Sequence, residues 1–204
     1  ETQFKAFGES IKELAKNKDI VNGPVDLAKA MYQLVSSGFE AENALKMVGV
    51  ASKAASAGLT TTETSVTALS SLMNAYNRKT LKDSIEFSDQ LFRVVDKGVI
   101  SFEQLSSNLG SVNAVAAASG VQFKEVGAAF IELTRAGISA SESETSIANL
   151  IRSIADPSKE AAEYAKLLGV ELGDTALQTK GLSGVLDELS EATNGRLSIM
   201  SKLI

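Results

Sequence analysis

The chain has 204 residues and a net charge of −5, with 44% hydrophobic and only 5% aromatic residues. It contains no histidine, cysteine or tryptophan, which excludes disulfides, zinc fingers, zinc hydrolase motifs, iron–sulfur clusters and histidine-based catalytic triads. A charged fraction of 22% belongs to a folded chain rather than a disordered tail, and the acidic balance argues against a nucleic-acid footprint.

The sequence begins at Glu1 without a methionine or a charged-then-apolar leader, and so reads as a piece of something longer. Two prolines, abundant Ala, Leu, Glu, Lys and Ser, and no strand-length alternation predict an all-α protein. The expected form is a compact multi-helix bundle of about ten short helices with a candidate N-terminal coiled-coil arm. In chain order the periodicity predicts helices over 2–18, 24–37, 41–57, 61–77, 80–97, 102–119, 123–136, 140–154, 157–168, 174–180 and 183–194, with another starting near Gly195. The corresponding organisation is an arm or linker over 1–22, a core module over 23–195, and the start of a further helix over 196–204.

Within the first helix, Phe4, Phe7, Ile11 and Leu14 fall at a and d positions of two heptads. This stripe fits an oligomer seam, or equally an amphipathic helix docked on its own domain. In the fifth helix, Leu81, Ile85, Ser88, Phe92 and Val95 form a face at helical spacing, and such a face is expected to be core.

Helix punctuation is the most specific local signal. Gly58 and Gly137 are each followed by an apolar residue, then by Thr60 or Ser139 as N-cap and by Glu63 or Glu142 three residues on, the pattern of a capping box. Looser copies are Gly98 with Ser101 and Gln104, and Gly120 with Glu125. Asp156-Pro157 reads as an N-cap followed by proline at the first helical position. Each good cap contributes about 1 kcal/mol, too little to hold helices of this length alone, so the helices must pack on one another. A faint internal duplication pairs Gly38 with Gly98 and Gly58 with Gly120, and sets the Ala-rich run from Ala51 against that from Val112.

The longest uncharged stretch, from Gln104 to Phe123, has a length near that of a membrane span. Its serines, asparagines and glycines make it read as a small-residue helix of a folded domain. No paired carboxylates on one face, no glycine-rich phosphate loop and no metal-ligand spacing are found. The expectation is therefore a non-enzymatic protein without cofactor or metal. Arg78, Lys79 and Lys82 form the densest basic cluster, with Tyr76 the nearest aromatic.

Several sequence blocks in fixed order carry a family likeness. They are Ser101-Phe102-Glu103-Gln104-Leu105-Ser106-Ser107-Asn108-Leu109-Gly110, Ala116-Ala117-Ala118-Ser119-Gly120-Val121, Ala128-Ala129-Phe130, Thr134-Arg135-Ala136-Gly137-Ile138-Ser139-Ala140-Ser141, Leu150-Ile151-Arg152-Ser153-Ile154-Ala155-Asp156-Pro157-Ser158 and Leu167-Leu168-Gly169-Val170. From about Gly38 to Met200 the chain resembles the core region of phage tail tape measure proteins of the TP901 type. It departs from them at Ser143-Glu144-Thr145, where many relatives carry Ala-Gly-Thr.

The resemblance implies a structural component of a phage or prophage tail that sets tail length during assembly and leaves the tube at DNA ejection. It further implies a location in the tail lumen or tip, and in the host cytoplasm during assembly. The implied partners are the tail tube protein, assembly chaperones, tail-tip proteins and further copies of the chain, with no sequence-specific nucleic acid. The competing readings are a membrane-active segment that acts after ejection and a generic helical adaptor.

Overall fold

The computed structural model describes residues 2–18, 20, 22–196 and 199, with side chains from residue 7 onward. Among the described residues the chain is all-α, with eleven helices and no strand. In order they are α1 (Thr2–Leu14), α2 (Pro24–Ser36), α3 (Ala41–Ala57), α4 (Thr62–Ala75), α5 (Leu81–Lys97), α6 (Phe102–Ser107), α7 (Gly110–Ala118), α8 (Phe123–Arg135), α9 (Ala140–Ala155), α10 (Lys159–Leu167) and α11 (Asp174–Thr193). The chain divides into two compact units, Glu1–Leu109 and Gly110–Ile204.

In the first unit α3 is the central helix, packed against α2, α4 and α5. Its middle is built from small residues, and Ala51, Ser52, Ala54 and Ala55 are all buried. Small side chains let neighbouring backbones close in, and the larger Leu27, Met47, Leu69, Leu72, Phe87 and Leu91 fill the remaining space without exposure. In the second unit α9 takes the central place, against α7, α8 and α11. Phe123, Phe130, Ile147, Ile151, Leu177 and Val185 form its core.

Three predicted helices end differently in the structure. The first stops at Leu14 rather than residue 18, because the Lys16 and Asn17 amides donate to the Glu13 and Leu14 carbonyls in a tightened last turn. The predicted 102–119 helix is two, broken at Asn108 and Leu109. The Asn108 side-chain amide donates to the Gln104 carbonyl at 2.7 Å, and Leu109 is fully buried. Asp174–Thr193 is continuous except at Gly181, where φ is +73°. That kink separates the two segments expected from the sequence. Most of the helix expected from Gly195 onward, residues 197–198 and 200–204, lies outside the described residues.

Four of the helix stops share one geometry. After α2, α7, α8 and α10 a glycine (Gly38, Gly120, Gly137 or Gly169) takes positive φ. The amide that follows it reaches back five residues, as in Val121 to the Ala116 carbonyl at 2.8 Å.

Candidate functional site

The caps expected from sequence divide into those the structure places as expected and those it moves. Ser139 Oγ accepts from the Glu142 amide at 3.3 Å, and the Ser139 amide donates to Glu142 Oε2 at 3.2 Å. The Ser139 hydroxyl and amide hold the Glu142 carboxyl below the usual carboxylate range. Ser101 and Gln104 make the same reciprocal pair at 3.2 and 2.9 Å. At α8 the Gln122 amide donates to Glu125 Oε2 at 3.3 Å.

Around Gly58 the expectation is one residue out. Gly58 has φ −86°, and the left-handed residue is Leu59 at φ +52°. The N-cap is therefore Thr61, which accepts from the Thr64 amide at 3.1 Å, and neither Thr60 nor Glu63 forms the box. The reason is packing: a Cβ on Gly58 would lie 2.8 Å from Cδ2 of the buried Phe102. Gly58 is needed for close approach, and the turn is passed to its neighbour.

Gly98 is likewise not a left-handed stop, and it is extended, with φ −87° and ψ 177°. Asp156 ends α9, and Ser158 caps α10 by accepting from the Ala161 amide at 3.1 Å. This places Pro157 before the cap and not at the first helical position. The glycine pairs of the apparent duplication also differ, since Gly38 and Gly120 are left-handed while Gly98 and Gly58 are not.

Two polar arrangements escape the sequence pattern. Thr80 and Asp83 form a capping box at the start of α5, with the Thr80 amide 2.9 Å from Asp83 Oδ2. Arg78 then bridges Asp83 and Glu86 at 2.7 and 2.6 Å and lies 4.9 Å above the Phe87 ring. Burial opposes ionisation of Asp83, but the Thr80 hydroxyl and amide and the Arg78 guanidinium outweigh it and hold the carboxyl low. Arg78 holds Glu86 low in the same way, and Glu86 in turn pushes the guanidinium up. Lys79 lies over the Phe39 ring at 5.6 Å. Arg78 and Lys79 of the three-residue basic cluster are therefore engaged within the first unit, while Lys82 is exposed.

The second arrangement centres on Glu125, whose Oε1 accepts from the Ser183 amide at 3.3 Å while its Oε2 serves α8. One carboxylate thus caps two helix starts. Gly181 takes φ +73°, which favours glycine, and a Cβ there would lie 2.5 Å from Glu125 Oε1, so the carboxylate would have to shift.

Two residues of the candidate α1 seam, Ile11 and Leu14, pack on their own unit. Ile11 is buried, and Leu14 Cδ1 lies 3.5 Å from where a Gly49 Cβ would be. Phe7 is half-buried, and the Phe4 side chain lies outside the described residues. The face expected to be core in α5 is also corrected. Its buried residues are Ser84, Phe87, Ser88, Leu91 and Val94, while Ile85 and Phe92 are 47% and 40% exposed. They border an open groove of about 410 Å³ against Val50, Ala54 and Ala57 of α3.

Among the described residues no group of acidic side chains could hold a metal ion. No described helix is long and apolar enough to cross a membrane, and the uncharged stretch from Gln104 to Phe123 is divided between α6, α7 and the start of α8. What the molecule presents is a set of capped helices joined by short turns.

Residues 3–204 match the phage-related minor tail protein family. The chain belongs to that family. Its role is accordingly that of a structural component of a phage tail, carried in the virion. No curated protein and no solved structure matches this minor tail protein.

Proposed function

We propose that this minor tail protein is a helical module of a tape measure protein, acting in tail length determination during assembly and released at DNA ejection. The family match over residues 3–204 carries the reading, and the ordered sequence blocks from Ser101 to Val170 give it its finer form. Its partners in this reading are the tail tube protein, the assembly chaperones and the tail-tip proteins. The module itself is not the rod. A continuous helix measures about 1.5 Å per residue, whereas here the longest unkinked helices, α3 and α5, have 17 residues each.

Electron microscopy of tails from a phage lacking the protein tests the assignment. Tails should be absent or of unregulated length, and complementation in trans should restore a single length. A narrow, wild-type length distribution without the protein would refute length determination and leave only the general tail role. Deleting 110–204 in frame then asks what the second unit does. As an extended rod it would account for roughly 140 Å of tail; as a folded module it leaves the length unchanged.

A further inference from the structure

Helix α5 carries apolar residues on two faces, and the fold uses only one. Ser84, Phe87, Leu91 and Val94 enter the core, while Ile85 and Phe92, two turns apart, stay 47% and 40% exposed along the groove beside α3. The α3 side of that groove carries Val50, Ala54 and Ala57 beside Lys53, and its small alanines leave room for another backbone to approach. Next to the apolar pair runs a charged flank, formed by Lys82, Asp89, Arg93 and Asp96, all exposed. Lys82, Asp89 and Arg93 make no ion pair among the described residues, and Asp96 pairs with its sequence neighbour Lys97 at 2.9 Å. An exposed pair of that kind contributes little.

From this pattern we infer that the α3–α5 shoulder is a self-association surface, on which α5 of a second copy of this chain lies antiparallel. The argument is one of self-complementarity. A two-fold axis between Ser88 and Asp89 sets Ile85 of one copy against Phe92 of the other, twice. The same axis brings Lys82 within one residue, about 1.5 Å along the helix, of the partner's Asp96. In an antiparallel two-fold pair each flank meets its own counterpart, so opposite charges at the two ends of one flank become partners. The arrangement therefore closes two apolar contacts and two ion pairs with a single operation. It also sets Asp89 of the two copies near the axis, with Arg93 one turn along in each. That like-charge contact opposes association, and its removal should tighten the dimer. The inference does not depend on the tape measure reading, because the surface belongs to the folded first unit whatever the tail does with it.

Light scattering and sedimentation equilibrium of the purified chain test it. Wild type is expected to dimerise reversibly. Phe92→Asp and Ile85→Asp should each weaken the dimer at least tenfold with unchanged helical circular dichroism, since both side chains are already part-exposed. Lys82→Glu and Asp96→Lys should each weaken it several-fold, and the double exchange should restore it. Asp89→Asn should strengthen it.

The chain has no cysteine, so oxidation of the double variant Ile85→Cys/Phe92→Cys should give a covalent dimer, and Ile85→Cys alone should not. This readout survives if the aspartate variants misfold. A wild-type chain that stays monomeric at millimolar concentration would overturn the inference. A dimer indifferent to Phe92→Asp would overturn this surface, and failure of both the charge exchange and the crosslink would overturn the antiparallel register.

Discussion

Ser143 is fully buried in the second turn of α9, and its hydroxyl has no hydrogen-bond partner. An unpaired buried hydroxyl costs about 1–3 kcal/mol, because its bonds to water are lost and not replaced. Ser143→Ala removes that cost and gains about 0.5 kcal/mol of helix propensity. Against this stands the loss of one oxygen's volume, which at roughly 24 cal/mol per Å³ of residual cavity is a few tenths of a kcal/mol. The expected net effect is stabilisation by about 1–3 kcal/mol. For a unit of this size each kcal/mol raises the melting temperature by roughly 4–8 °C. Thermal and urea unfolding of the full chain, followed by circular dichroism, would measure it. An unchanged or lowered melting temperature would refute the reasoning and show that the hydroxyl has a partner, such as a buried water. Asn113 is the weaker test, although both of its amide atoms are likewise unpaired, because Asn113→Ala also opens a larger void.

Thr61→Ala should cost about 0.5–2 kcal/mol and Thr60→Ala clearly less, as the cap belongs to Thr61; equal losses in urea titrations would contradict this. Gly58→Ala should destabilise by about 1–3 kcal/mol through the clash with Phe102, and a neutral result would mean that the ring can move aside. Glu125→Ala should loosen α8 and the segment after Gly181 together, seen as faster amide exchange at both helix starts. Acid should destabilise the first unit: Asp83 and Glu86 are held low in the folded state, so their contribution is present above their unfolded values and is lost as pH falls through the folded ones. Asp83→Asn should flatten that acid limb of the stability curve.

How much was legible in the sequence depends on what kind of physics each feature uses. Glycines followed by an N-cap report local backbone chemistry, and at Gly137–Ser139–Glu142 nothing distant interferes with it. At Gly58 a tertiary contact interferes: Phe102, 44 positions further along, occupies the space where a Cβ would sit, and the left-handed residue slips to Leu59. The Thr80–Asp83 box went unread for a simpler reason. Aspartate does there what the pattern assigns to glutamate or glutamine. For α5 the period was right but the direction was not. Helical spacing shows that apolar residues share a face; it cannot show which of two apolar faces meets the core. Phe87 and Leu91 form the better-filled stripe once α3 and α4 are in place, and Ile85 and Phe92 are left at the edge.

The same distinction bears on function. A tail component that measured length in this folded form would need long uninterrupted helix, and this chain is interrupted by design of its backbone. Positive-φ residues at Gly38, Leu59, Asn77, Gly120, Gly137 and Gly169 each end a helix, and each lies within four residues of the next N-cap. Replacing any one of these left-handed glycines would strain its turn and cost about 1 kcal/mol or more, but the other turns would remain, so no single substitution converts bundle to rod. The turns and the packed faces support each other: the caps fix where helices stop, and the Ala-rich middles of α3 and α7 let the returning helices close. In the proposed reading, a chain built this way contributes to a tail through its folded surfaces. Those surfaces, the α3–α5 shoulder first among them, are therefore where its partners are to be sought.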